Sequence, residues 1–179
     1  MNFQNKTVLV TGASQGIGRA TAIAFAQAGG RVAVHFNRQR EKAEQLLSRL
    51  PGSGHIIAQA DIGNPNAVEQ MVNGVLAAFG RIDILVNNAA TNQPHPLDST
   101  SFDDWQAAWQ QVIGVNLVGA ANVIHCVARP MIAQQAGRIV NVTSRGAFRG
   151  EPDNPAYGAG KAGLNALSQS LALHLAPHN

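Results

Sequence analysis

A chain of 179 residues has room for one domain of ordinary size, and 45% hydrophobic against 13% charged residues supplies enough apolar surface for a core, which excludes intrinsic disorder. Thirteen Lys and Arg against ten Asp and Glu leave a net charge of +3, and three charges spread over a domain do not make a nucleic-acid surface. The single cysteine, Cys126, excludes an internal disulfide, and the opening MNFQNKTVLV lacks the basic start and apolar run of a signal peptide, so a cytoplasmic location is expected.

Residues 6–10 (KTVLV) are a β-branched run that ends in TGASQGIG, and an Ala-rich helix is expected over 17–28. Gly29 and Gly30 stop that helix, residues 31–36 (RVAVHF) make a second strand, and 41–50 places Ala43, Leu46, Leu47 and Leu50 on one helical face. A weaker third strand falls at 55–58. Asn64-Pro65 opens a helix in which Val68, Met71, Val72, Val75, Leu76 and Phe79 keep the helical period until Gly80 ends it. Residues 83–86 (DILV) read as a fourth strand covered on both faces, and the loop after it is polar and proline-containing. A long helical region runs from near Phe102 to about Gln135, with a kink expected at Pro130 and a stop at Gly137. Its most apolar part, 112–128, is broken by Asn116, Asn122 and His125, so no membrane span is expected. Residues 138–143 (RIVNVT) make a fifth strand, and a loop with Pro152 and Pro155 precedes the last helix.

Strands alternating with helices specify an α/β fold, a Rossmann-type doubly wound parallel sheet for which the strand order 3-2-1-4-5 is expected. No repeat or linker divides residues 1–179, which are expected to form a single nucleotide-binding domain.

Two constellations carry chemistry. Gly12, Gly16 and Gly18 sit between a strand and a helix, where backbone amides and the positive helix end receive a pyrophosphate; a plain tight turn is the blander alternative. Tyr157 and Lys161 are one helical turn apart on the same face, and Ser144 lies just past the fifth strand, at the sheet edge where such folds bind ligands. The three can converge on one carbonyl oxygen. A phenol is a poor base at neutral pH; lowering a phenol pKa by about three units takes roughly 4 kcal/mol of preferential phenolate stabilisation, much of which a neighbouring ammonium can supply.

TGASQGIG, Asp61, NNAA at 87–90, Asn116, Ser144 and YGAGK at 157–161 together resemble the short-chain dehydrogenase/reductase family in its classical form, and within it the 3-oxoacyl-carrier-protein reductases. The resemblance covers the whole chain. It implies that Thr11, Gly12, Ser14, Gln15, Gly16, Ile17 and Gly18 line the cofactor phosphates and ribose, that Asp61 and Ile62 border the adenine, and that Asn88 and Ala89 pass behind the adenosine ribose. Asn116 would anchor a catalytic water path, Ser144 would orient the substrate carbonyl, Tyr157 would be the general acid in reduction, and Lys161 would support Tyr157 and hold the nicotinamide ribose. Ala90 stands where the family usually has glycine. Family members commonly run to about 250 residues, whereas this sequence stops at Asn179, where a sixth strand is expected to start. An apparent C-terminal truncation is therefore expected, without the sixth and seventh strands and the loop at the nicotinamide. It would leave the fifth strand as an open edge that associates with another chain, and Leu164, Leu167, Leu171 and Leu175 partly exposed or buried in a dimer.

These residues point to an oxidoreductase that interconverts a carbonyl and a secondary alcohol. NADP(H) is favoured over NAD(H), because Phe36 occupies the position at the end of the second strand where an acid would hold the NAD ribose, while Asn37 and Arg38, with Arg40 or Lys42 nearby, offer a hydrogen bond and positive charge. The expected substrate is a small carbonyl, an alcohol or an acyl thioester, and the chain is expected to be a homo-oligomer without nucleic-acid or membrane partners. The alternative is a nucleotide-binding relative with little or no activity. His174 and His178 lack a third ligand, so no metal site is expected; Trp105 and Trp109 read as a packing stripe, Cys126 as a small buried residue, and Arg145 and Arg149 as solvated loop arginines unless they meet an anionic substrate.

Overall fold

The computed structural model describes residues 2–178. Five parallel strands, β1 (Thr7–Val10), β2 (Arg31–Phe36), β3 (Ile56–Gln59), β4 (Ile84–Asn87) and β5 (Arg138–Asn141), lie in the expected order β3-β2-β1-β4-β5. The chain steps outward from β1 through α1 (Gly16–Gln27) and α2 (Arg40–Leu47) to β3, then returns through α3 (Pro65–Phe79) to place β4 on the other side of β1. That reversal opens a crevice at the carboxyl ends of β1 and β4.

The strands are apolar on both sides because both sides are covered. Val8, Val10, Val32, Val34, Ile84 and Val86 pack on Ala22 and Ala26 of α1 and on Ala43 and Leu46 of α2. The alternate residues Leu9, Ala33 and Leu85 face Val68, Val72 and Val75 of α3 and Val123, Ile124 and Val127 of α5 (Ala120–Gln134). Side chains of this kind contribute about 1.5–3 kcal/mol each when fully buried. Leu167, Leu171 and Leu175 of α6 (Pro155–Leu175) join this second layer from its margin, while Leu164 is fully enclosed.

Several boundaries differ from the sequence expectation for identifiable reasons. The third strand begins one residue late because the His55 side chain takes over a ladder role: its Nδ1 accepts the Val32 N–H at 3.1 Å, and its Nε2 donates to the Pro51 carbonyl at 2.9 Å. Asp83 is a clip rather than a strand residue, its carboxylate accepting the Thr7 N–H at 2.9 Å and hydroxyl at 3.0 Å beside Arg81 at 2.8 Å. Burial alone would raise the Asp83 pKa, but these hydrogen bonds together with Arg81 and Lys6 hold it below the ordinary carboxylate value. The second helix ends at Leu47, where the chain tightens into i→i−3 bonds that still leave Leu50 buried. The fifth strand ends at Asn141, and the next carbonyl, that of Val142, is taken by the Lys161 ammonium at 2.8 Å.

The long helical region is continuous through Pro130. Its irregularity lies instead between α4 (Phe102–Ile113) and α5, where Gly114–Gly119 form a π-helical turn. Gly119 passes so close to the Ile62 backbone that a β-carbon there would stand 2.6 Å from the Ile62 oxygen. The helix ends on Gln135, at φ +53°, and not on Gly137. Taken as one run, Phe102–Gln134 is 33 residues of helix, long and apolar enough by length and composition to cross a membrane. In this fold Val112, Val123, Ile124, Val127 and Met131 of that run are buried in the core. Among the described residues no strand pairs with the outer edge of β5, where Val140 is 50% exposed.

Candidate active site

The glycine turn after β1 is held from three sides. Gly12 has φ +64°, and a β-carbon on it would lie 2.8 Å from the Ala89 Cα, so only glycine fits between the turn and the segment after β4. The Thr11 hydroxyl oxygen accepts the amides of Asn88 (2.9 Å) and Ala89 (3.0 Å), and the Asn88 side chain donates to the Thr11 and Gly12 carbonyls at 2.9 and 3.2 Å. From β2, the His35 imidazole accepts the Gly12 N–H on Nδ1 at 2.9 Å and donates from Nε2 to the Ala60 carbonyl at 3.1 Å. Buried to 2% exposure, His35 has its pKa pushed down to about 4 by desolvation, against the opposing influence of the Ala60 carbonyl and Asp61. Sequence reading missed His35; a polar residue at the carboxyl end of an otherwise apolar strand was the available signal.

Gly12, Ser14, Gln15, Gly16 and Ile17 line a cleft of about 580 Å³. Asn37 and Arg38 enter it from the end of β2, and Asp61 and Ile62 from the end of β3. Asn88 and Ala89 form the floor beside Ala90, whose alanine is unstrained because its backbone stays out of the left-handed region. Tyr157 and Lys161 on α6 close the far end. These residues lie up to 149 positions apart in sequence, and the fold brings them to one crevice.

Lys161 is 2% exposed, donates to the Val142 carbonyl at 2.8 Å and lies 5.9 Å from the centre of the Tyr157 ring. Burial lowers its pKa. Four expected site residues do not line the cleft. Thr11 is fully buried beneath it, its hydroxyl spent on the Asn88 and Ala89 amides. Gly18 serves packing, since a β-carbon on it would strike the Gly12 carbonyl. Asn116, in the π-helical turn, is fully engaged with Thr91: its Oδ1 accepts the Thr91 N–H and its Nδ2 donates to the Thr91 carbonyl, both at 2.8 Å. Ser144 caps a short 3₁₀ turn by accepting the Gly146 N–H at 3.1 Å, which leaves its own O–H proton available to a further acceptor.

The bland readings divide. Trp105 and Trp109 do pack, around His95. Cys126 is half-buried rather than enclosed, and burial raises its thiol pKa together with nearby Glu69. Arg145 is largely solvated, 3.7 Å from Glu151. Among the described residues no group of three His, Cys, Asp or Glu side chains could hold a metal.

The cleft suits a dinucleotide. The first turn of α1 carries no acidic side chain, and its N-cap Gln15 makes no side-chain cap, so the amide donors there are left for an anion. At Gly16 a β-carbon would meet nothing within 4 Å, which leaves that space open above the helix end.

The sequence profile of the family described as short chain dehydrogenase matches residues 6–179. The chain belongs to that family. It is 37% identical over 173 residues to a 3-oxoacyl-[acyl-carrier-protein] reductase of Synechocystis sp., covering 96% of this chain and 68% of the relative. Among solved structures, an NAD⁺-bound xylitol dehydrogenase superposes with a TM-score of 0.90 at 35% identity, over 100% of this chain and 68% of that one. A metagenomic short-chain oxidoreductase in complex with NADP gives 0.87 at 34% identity, over 98% and 79%. Membership in the short-chain dehydrogenase family makes the chain an oxidoreductase of the class that acts on CH–OH or carbonyl groups with a nicotinamide cofactor.

Proposed function

We propose that this chain forms one nucleotide-binding unit and interconverts a carbonyl and a secondary alcohol with NADP(H), Tyr157 being the proton donor in reduction. The observation that carries the reading is the single cleft that joins the glycine turn to Tyr157 and Lys161. The nicotinamide cofactor supplies or accepts the hydride. Tyr157 donates its hydroxyl proton to the carbonyl oxygen, and the Lys161 ammonium stabilises the charge left on the phenol oxygen. Ser144 gives its O–H to the same carbonyl oxygen and orients it. Asn116 holds Thr91, which lines the cleft, and thereby fixes the wall facing Tyr157.

NADP(H) is the proposed partner because Phe36, 1% exposed, puts no carboxylate at the end of β2, while Asn37 and the exposed Arg38 border the cleft. Arg40 is spent on Glu44 at 2.8 Å, and Lys42 reaches Gln15 at 3.2 Å, beside the glycine turn. An acyl thioester resembling the substrate named for the Synechocystis reductase is the proposed substrate class. The protein is proposed to work in the cytoplasm and to self-associate through the open edge of β5. Light-scattering mass checks the last point: a dimer or larger species is expected, Val140→Lys is expected to weaken it, and a stable monomer at high concentration would refute it.

A second reading, nucleotide binding without turnover, is favoured by one observation: Ser144 turns its oxygen to Gly146 and does not line the cleft. Following reduced-nicotinamide absorbance with a panel of ketones, aldehydes and acyl thioesters, beside a cofactor titration, separates the two. Turnover with at least one carbonyl is expected; tight cofactor binding with no turnover of any would leave the second reading.

A further inference from the structure

The last helix begins with an unusual deficit. Its N-cap, Asn154, makes no side-chain cap, and the Asn154 Oδ1 is buried without a partner among the described residues. The helix starts Pro155-Ala156-Tyr157, so the orphan amide of Ala156 lies immediately before the proposed proton donor. The acceptor for that amide comes from 61 residues earlier in the chain: His95 Nε2 takes the Ala156 N–H at 3.2 Å. Its other nitrogen, Nδ1, stands 2.6 Å from the Gln93 carbonyl. A carbonyl only accepts and an amide N–H only donates, so the imidazole is neutral with its proton on Nδ1. The His95 backbone N–H donates to the Asp153 carbonyl at 2.8 Å, which binds the same loop a second time. The ring is 0% exposed and is held edge-on by Trp105 at 5.3 Å and Trp109 at 6.5 Å. A buried imidazole so completely committed cannot turn to another partner.

We infer that His95 is a positioning residue: it supplies, from the loop after β4, the capping acceptor that the N-cap Asn154 does not, and it fixes the helix start that aims Tyr157 into the cleft. The inference rests on the proposed role of Tyr157, but the cap itself is independent of that role. Loss of an N-cap acceptor frees the first turn, and displacement of a reacting group by about 1 Å can lower a rate roughly a hundredfold. His95→Phe keeps a ring against the two tryptophans and removes both side-chain hydrogen bonds. His95→Gln offers an amide oxygen to Ala156 and an amide N–H to Gln93.

Amide hydrogen exchange and steady-state kinetics on the full chain test this together. In His95→Phe, exchange at Ala156 and Tyr157 is expected to speed up about tenfold while that of β1 and β4 stays unchanged. Turnover is expected to fall at least tenfold with little change in KM, and His95→Gln is expected to restore both to within about threefold of wild type. If His95→Phe does not fold, His95→Gln alone decides, by whether it keeps wild-type exchange and kcat. Unchanged exchange in His95→Phe, or exchange in His95→Gln well above wild type, would overturn the cap. A restored exchange pattern with kcat never affected would overturn the positioning role. Absence of turnover in the wild-type chain would instead sink the reading of Tyr157, while the exchange pattern still decided the cap.

Discussion

The ammonium of Lys161 sits 5.9 Å from the centre of the Tyr157 ring while donating to the Val142 carbonyl at 2.8 Å, so α6 and the residue just past β5 jointly fix one cation beside one phenol. A lysine this deeply buried has its pKa lowered by desolvation, and a cation placed at that cost at the end of the cleft fits a functional demand better than a structural one.

Lys161→Met is expected to lower turnover at least a hundredfold and to weaken cofactor affinity as well, because the proposed mechanism places its ammonium at the phenol and the family resemblance implies a second contact with the nicotinamide ribose. The fold is expected to survive, since Met replaces a buried cation by an apolar chain of similar length. Kinetics, cofactor titration and thermal unfolding of the variant check this; full activity with intact affinity would remove Lys161 from the site.

Arg38→Ala is expected to weaken NADPH binding about tenfold and leave NADH binding nearly unchanged, the loss of one charge-assisted contact at a solvent-facing position. Fluorescence titration with both reduced cofactors measures it. Equal or tighter binding of NADH by the wild-type chain would contradict the proposed preference.

His35 ties stability to pH. Burial lowers its pKa from 6.5 to about 4, so the unfolded chain binds a proton there before the folded chain does. Its contribution is whole above about pH 6.5, declines as pH falls toward about 4 and is constant below that, a total of about 3 kcal/mol. Urea unfolding across that window, compared with His35→Gln, isolates the effect. The wild type is expected to lose more stability than the variant on acidification, and parallel slopes would show that His35 does not stay neutral in the fold.

The parts of this architecture that were legible in the sequence are those set by local pattern. The strand order followed from alternating elements, and α3 from its apolar period, Asn64 before Pro65 and Gly80 at its end. The glycine turn and the pair Tyr157 and Lys161 were legible because each is itself local, whereas Asp61, Ile62, Asn88 and Ala89 were placed at the cleft through the family resemblance. The rest depends on contacts that no local pattern encodes. Pro130 sits within an unbroken helix, and the irregularity falls at Gly114–Gly119, where the helix must pass the Ile62 backbone. His35 and His95 carry no local motif that singles them out of a strand and a loop. Their partners, Gly12 and Ala156, lie 23 and 61 residues away.

The account turns on Tyr157 as the proton donor, and the most direct test is turnover and cofactor affinity of Tyr157→Phe beside the wild type. The substitution removes the transferable proton and little else. Carbonyl reduction is expected to fall by about 10² to 10⁴ with cofactor affinity nearly unchanged. A phenylalanine variant that keeps wild-type turnover would contradict the assignment of Tyr157 and the mechanism built on it.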